Sequence, residues 1–329
     1  MRVPVSHVQK SRIKPPPLHP GDTVGIVAPA SHIQRDLLLA GCATLKKLGY
    51  KPFYFDSIFD RELYFAGDVR RRVRELEEMF EREEVRAIIC ARGGYGCNYL
   101  LEELDLEKVR CNPKIFMGYS DITTLLTWFC DATNLVTFHG PMVTKDFAKA
   151  DGIHLPSWEA AVSGSTEWQL DRDATRCVKS LREGTAEGTL YGGCLSLLSA
   201  SLGTPYEIHT AGTILFLEDI NARPYQVDRM LMQLRLAGKL DGVRGIIFGE
   251  MLDCSQPGGA DYSLEQVVTR IVGDLEIPVA YGLCSGHVSL HNITLPLGVR
   301  AALSVRAETV ELKILEPATA AEVVRSAKL

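Results

Sequence analysis

Three short apolar segments, each next to a stretch with helical spacing, constrain this chain more than any other feature. Thr23-Val24-Gly25-Ile26-Val27-Ala28, Ala87-Ile88-Ile89-Cys90-Ala91 and Ile115-Phe116-Met117 are apolar at nearly every position, as strands covered on both faces must be. After the first, Leu38, Cys42, Leu45 and Leu48 recur at helical spacing until Gly49; before the second, Val69, Val73, Leu76 and Phe80 do the same. Strands alternating with helices in this way predict a parallel sheet clothed on both sides, an α/β fold.

The chain has 329 residues, too many for one ordinary core, so two domains are expected. Apolar patterning fails between roughly Ser157 and Gly188, where Asp, Arg, Glu and Thr crowd between Gly164 and Gly184. This gives an α/β domain over 18–160, a linker over 161–187 and a β-rich domain over 188–329. The last has shorter strands at Gly212–Leu217, Val243–Gly249, Val279–Tyr281 and Val310–Ile314. A helix over about Val227–Ala237 carries apolar residues on two sides, Val227, Met230, Leu231 and Leu234 on one and Met232 and Leu236 on the other. That pattern suits burial against two partners, a second subunit among them. Residues 1–17 read as a loose extension with a stiff Pro15-Pro16-Pro17 lead-in, order beginning near Pro20.

The third apolar segment runs into Gly118-Tyr119-Ser120-Asp121 and then a helical stretch. A serine at such a strand-to-helix turn projects its hydroxyl from the carboxyl end of the sheet, where the N–H of the next residue and the helix N-terminus can stabilise an oxyanion. Capping of the helix by Ser120 or Asp121 is the plainer alternative. Ile122 stands where the second glycine of a G-x-S-x-G elbow would be.

A serine nucleophile needs a base, and the base an orienting carboxylate. Glu218 and Asp219 follow the apolar strand ending at Leu217, and His287 lies in Gly286-His287-Val288-Ser289; on spacing alone a solvated loop or a cap for the helix beyond Pro224 is the plainer reading of the carboxylates, and a hydrogen-bonded structural role is the commoner one for an isolated histidine. His287 and His291 are four apart, but Gly286, Val288 and Asn292 argue against a helix and there is no H-E-x-x-H, so no metal site is assigned. Arg92-Gly93-Gly94-Tyr95-Gly96 does not complete a G-x-G-x-x-G, since Tyr99 holds the last place. One of its glycines could instead bring a backbone N–H to the nucleophile.

Composition closes off other classes. A net charge of −5 without a basic block argues against a nucleic-acid partner. No apolar run approaches the roughly 20 residues of a membrane span, and the start lacks a signal-peptide core, so cytoplasmic residence is the expectation. Nine scattered cysteines with no C-x-x-C pair read as reduced, mostly packed thiols, Cys90 and Cys97 included.

Taken in order, Pro20-Gly21-Asp22-Thr23-Val24-Gly25-Ile26-Val27-Ala28-Pro29, Arg92-Gly93-Gly94-Tyr95-Gly96, Gly118-Tyr119-Ser120-Asp121-Ile122-Thr123, His139-Gly140-Pro141, Leu217-Glu218-Asp219, Tyr225-Gln226-Val227-Asp228-Arg229-Met230-Leu231 and Gly286-His287 resemble the LD-carboxypeptidase family of serine peptidases. That family includes murein tetrapeptide carboxypeptidases and microcin C self-immunity proteins. The resemblance implies a glutamine-amidotransferase-like amino-terminal sandwich and a smaller β-rich carboxyl-terminal domain, with the site between them. It implies Ser120 as nucleophile, His287 as base and then acid, Glu218 orienting His287, and an oxyanion hole from the N–H groups of Asp121 and Gly93. It further implies a homodimer, a muropeptide substrate losing a terminal D-Ala, and chemistry needing neither metal nor cofactor. Arg92, Gly94 and Arg229 are the candidate substrate-binding residues, the arginines for a carboxylate. Relatives often carry a further acidic residue after Glu218-Asp219, where this chain has Ile220-Asn221-Ala222-Arg223. Leu252–Tyr262 is short and Gly-rich with one aromatic residue, which favours the murein substrate over a peptidyl-nucleotide one.

Overall fold

The computed structural model describes residues 12–256, 258–259 and 261–320; residues 1–11, most of the expected extension, lie outside them. In the first half, β1 (Thr23–Val27), β2 (Lys51–Phe53), β3 (Val85–Cys90), β4 (Ile115–Gly118) and β5 (Thr137–His139) alternate with α1 (Arg35–Lys47), α2 (Val69–Glu81), α3 (Leu106–Cys111) and α4 (Thr123–Thr133). These strands are parallel, in the order β5-β4-β3-β1-β2. Apart from Thr23 and Arg86, which are half-buried, the residues of the central strands β1, β3 and β4 are buried, which is why these sequences are nearly continuous apolar runs rather than alternating.

The second half contains α5 (Leu155–Val162), β6 (Trp168–Gln169), a single helical turn α6 (Arg172–Thr175), β7 (Lys179–Arg182), β8 (Gly184–Cys194), α7 (Leu195–Ala200), β9 (Thr213–Glu218), α8 (Pro224–Leu236), β10 (Gly245–Gly249), α9 (Leu264–Val272), β11 (Val279–Leu283), β12 (Leu295–Leu297), β13 (Arg300–Val305) and β14 (Val310–Ile314). Eight of these strands form a mixed sheet, β6-β14-β13-β8-β9-β10-β11-β7, with a parallel centre from β8 to β11 and antiparallel flanks.

Three expectations need correction. Residues 161–187 are not a linker: β6, β7 and the start of β8 lie there. β6 and β7 are the two edges of the large sheet, and edge strands carry the charge that makes a segment read as loop. Order does not wait for Pro20 either, since Ile13 pairs with Leu135 and Lys14 reaches Glu316 at 2.7 Å. Thirdly, the carboxyl-terminal half is not self-contained, because β12 leaves it and pairs antiparallel with β5 at the edge of the first sheet. On α8, Val227, Leu231 and Leu234 are buried, whereas Met232 and Leu236 are exposed.

Candidate active site

At the carboxyl end of β4 the chain turns sharply. Tyr119 is extended (φ −153°, ψ −171°), and Ser120 then takes φ +63°, a left-handed conformation that costs a non-glycine residue about 1–2 kcal/mol. A 3-10 turn over Ser120–Ile122 leads into α4. Gly118 permits this closure: a Cβ there would lie 2.9 Å from the Ile122 side chain. Ile122, where a second glycine was anticipated, thus seals the turn by packing on the first.

The glycine loop lies directly on this elbow. A Cβ on Gly93 would sit 2.7 Å from Cβ of Ser120, 3.0 Å from its Oγ and 3.2 Å from the N of Asp121. Gly94, at φ +114°, packs its backbone on Ser31, whose hydroxyl accepts from the N–H of Tyr95 (3.1 Å). Two buried charged residues fix the rest of the loop. Arg72 donates through Nη1 to the carbonyls of Pro29 (2.8 Å) and Gly96 (2.9 Å), and Asp121 accepts from the N–H of Cys97 (2.8 Å). Burial pushes the Asp121 carboxyl up, against the opposing pull of these hydrogen bonds and of Arg72.

Glu218 ends β9 and is fully buried. Its Oε2 accepts from both the backbone N–H (3.0 Å) and Nδ1 (2.7 Å) of His287. Two glycines make room for it: a Cβ on Gly249 would lie 2.6 Å from Cβ of Glu218, and one on Gly286, at φ +93°, 2.6 Å from its carboxyl carbon. Asn292 closes the Gly286 turn, accepting from its N–H and donating to its carbonyl, each at 3.0 Å. Desolvation alone would raise Glu218, but the charge and hydrogen bonds of His287 overcome it and hold the carboxyl below its ordinary range. Desolvation likewise depresses His287, and Glu218 outweighs it, so the imidazole lies above its usual value. With its Nδ1 proton committed to Glu218, a neutral His287 keeps Nε2 as a proton acceptor.

Tyr119 joins the halves. Its ring meets His287 edge-on, centroids 5.1 Å apart and planes at 90°, and its hydroxyl lies within electrostatic reach of Asp146. Asp146 also accepts from the N–H of Met142 (2.8 Å), and desolvation raises its carboxyl to about 6. Behind the elbow, Thr123 Oγ1 accepts from the N–H of Cys194 (3.1 Å), and Cys194 pairs with Glu218 across β8 and β9.

The other candidates have different surroundings. Arg92 donates to the carbonyl of His32 (3.3 Å), and its Nε is buried without a hydrogen-bond partner among the described residues. Arg229 sits on the exposed side of α8 over the ring of Tyr225, 5.9 Å from its centroid, and no described contact joins it to Ser120, Glu218 or His287. Asp219 caps local backbone, accepting from the N–H of Ser196 (2.8 Å) and Ile220 (2.8 Å). His291 stacks on His154 at 4.9 Å, so it and His287 serve different partners. Cys90 and Cys97 are fully buried, which drives their thiols well above the ordinary range and makes them unreactive.

Residues 24–140 match the profile of the LD-carboxypeptidase N-terminal domain and residues 187–303 that of its C-terminal domain. The chain belongs to the LD-carboxypeptidase family. Among its relatives is a probable murein peptide carboxypeptidase of Bacillus subtilis, 39% identical over 300 residues that cover 90% of this chain and 93% of that one. Another is the microcin C7 self-immunity protein MccF of Escherichia coli, 28% identical over 329 residues, 90% of this chain and 94% of that one. The crystal structure of a muramoyltetrapeptide carboxypeptidase from Oxalobacter formigenes superposes with a TM-score of 0.80 at 31% identity, covering 90% of this chain and 99% of that one.

In this LD-carboxypeptidase family member the described residues include groups of the kind that acyl transfer uses. They are a hydroxyl on a left-handed turn at a helix N-terminus, a glycine loop against it, and an imidazole whose proton is held by a buried carboxylate. Sequence reasoning missed Arg72, Asp146, Tyr119 and Asn292. Arg72 sits in the charged run Arg70-Arg71-Arg72, which reads as a solvated face, although it occupies the inward side of α2 four residues before Leu76. Asp146 and Asn292 have no periodicity to betray them, because their role exists only once β5 and the His287 loop meet.

Proposed function

We propose that this chain is a serine carboxypeptidase that removes the terminal D-Ala from muropeptide tetrapeptides, a step of peptidoglycan recycling in the cytoplasm. Ser120 attacks the carbonyl of the scissile amide while His287 Nε2 takes its proton. The N–H groups of Asp121 and Gly93 receive the oxyanion. His287 then returns the proton to the departing amine, forming a serine ester, and the same base activates water to hydrolyse it. Glu218 holds His287 in the required tautomer and stabilises the imidazolium. The observation that carries this reading is the left-handed Ser120 seated against Gly93, since a helix cap needs neither that φ nor a glycine pressed on its hydroxyl. Arg92, whose Nε has no hydrogen-bond partner among the described residues and which adjoins the glycine loop, is the stronger candidate for the substrate carboxylate.

A second reading, an amidase acting on peptidyl-nucleotide analogues, is favoured by the similarity to MccF. Mass spectrometry separates the two. Wild-type protein, and not Ser120→Ala, should release D-Ala from L-Ala-γ-D-Glu-meso-diaminopimelate-D-Ala. Absence of release, with cleavage of an aminoacyl sulfamoyl nucleoside instead, would establish the alternative. Homodimerisation, suggested by the exposed Met232 and Leu236 of α8, is tested by sedimentation.

A further inference from the structure

The motif His139-Gly140-Pro141 has no part in the scheme above, yet His139 lies underneath it. β5 ends at His139, and its fully buried ring packs between Tyr119 (centroids 6.1 Å apart) and Phe216 (5.0 Å). Phe216 precedes Glu218 by two positions on β9, so the two side chains leave the strand on the same face. His139 therefore sits within the electrostatic reach of Glu218 and His287. Neither ring nitrogen of His139 has a hydrogen-bond partner among the described residues, and the same holds for Oε1 of Glu218, whose Oε2 receives both bonds from His287. Thr294 Oγ1, a fourth buried atom without a partner among the described residues, adjoins the next residue, where a Cβ on Gly140 would lie 3.2 Å from it. A buried neutral imidazole always carries one N–H, and leaving it and a nearby buried carboxylate oxygen without partners is costly for both.

We infer that His139 is a positioning residue, one of whose ring N–H groups holds Oε1 of Glu218 through one ordered water, so that the carboxylate is gripped between two histidines. The inference rests on the triad reading above. Burial depresses the His139 imidazole to about 4, so it donates as a neutral group and adds no charge that would compete with His287. The titratable groups facing Glu218 are His287, His139, Tyr119, Asp219, Cys194 and Cys254. Of these, the two histidines favour its ionised form. Phe216 and Tyr119 fix the plane of the His139 ring, and β12 covers the strand that carries it.

The test pairs resonance with kinetics on the full chain. In the wild type, nitrogen spectra should show His139 as a single neutral tautomer with a hydrogen-bonded ring N–H from about pH 5.5 to about pH 9. In His139→Phe, which keeps the ring and loses the donor, the lower apparent pKa of the Glu218–His287 pair, read at the Glu218 carboxyl carbon, should rise by about one unit. The kcat for D-Ala release should fall about tenfold with KM unchanged, and His139→Gln, which retains an N–H donor, should recover most of both. An unshifted pair in His139→Phe overturns the inference. So does a wild-type His139 N–H without the signature of a hydrogen bond, which is readable even if the variant fails to fold. If the wild type releases no D-Ala, the proposed function fails while the resonance measurements still decide the role of His139.

Discussion

The two halves of the site are held by different physics. On the first sheet, Ser120 and the Gly93 loop are fixed by the backbone: a left-handed serine, a glycine pressed against its hydroxyl, and main-chain groups pinned by Arg72 and Asp121. On the second sheet, Glu218 and His287 are fixed by charge and side-chain hydrogen bonding, inside a pocket that Gly249 and Gly286 keep open. A backbone device fails through added bulk. An electrostatic device fails through lost charge, and only the latter should move with pH.

Glu218→Gln should have the largest effect, a loss of roughly 10³-fold in kcat. It should also relocate the acid limb. In the wild type the rate should climb as His287 loses its proton through a pH above 6.5, because Glu218 raises that imidazole; without the carboxylate the limb should move to lower pH. Gly93→Ala is the matching test on the other side. Gly93 does not occupy the left-handed region, so alanine suits its backbone and meets only Ser120 and Asp121. The kcat should drop about 10²-fold and the thermal midpoint should fall, because a Cβ 2.7 Å from Cβ of Ser120 forces the elbow to shift, while the pH limb stays in place; a shifted limb would erase the distinction between the halves. Asn292→Ala removes both bonds that close the Gly286 turn. It should cost about 1–3 kcal/mol in denaturant unfolding and lower kcat about tenfold. Arg229→Ala, on the exposed side of α8, should change kcat/KM by no more than about twofold.

The backbone half was the more legible in sequence, since a strand-to-helix turn and a glycine loop announce themselves by local composition. Ser120 and Asp121 could be nominated from spacing because their geometry is built within a few residues, whereas the choice of Gly93 within the glycine loop came from resemblance to a family. The pairing of Glu218 with His287 spans 69 positions, and no local signal selects that histidine over His139 or His154; resemblance to a family supplied the assignment. Segment 161–187 was misread because an edge strand exposed on one side carries the polar residues of a loop. Arg72 was missed because an arginine between Arg71 and Val73 reads as solvated until the loop that it braces folds over it.

One strand has a consequence for how the molecule can be made. The first sheet takes its last member from Leu295–Leu297, opposite Thr137–His139, so the layer that carries the serine stays unfinished on the ribosome until the segment through Leu297 has emerged. Pairing across so long a stretch closes late. A nascent or truncated chain therefore presents β5 as an open edge without a working hydrolase beside it. Exchanging the two halves between relatives would have to carry that strand with the first half, although it is encoded in the second.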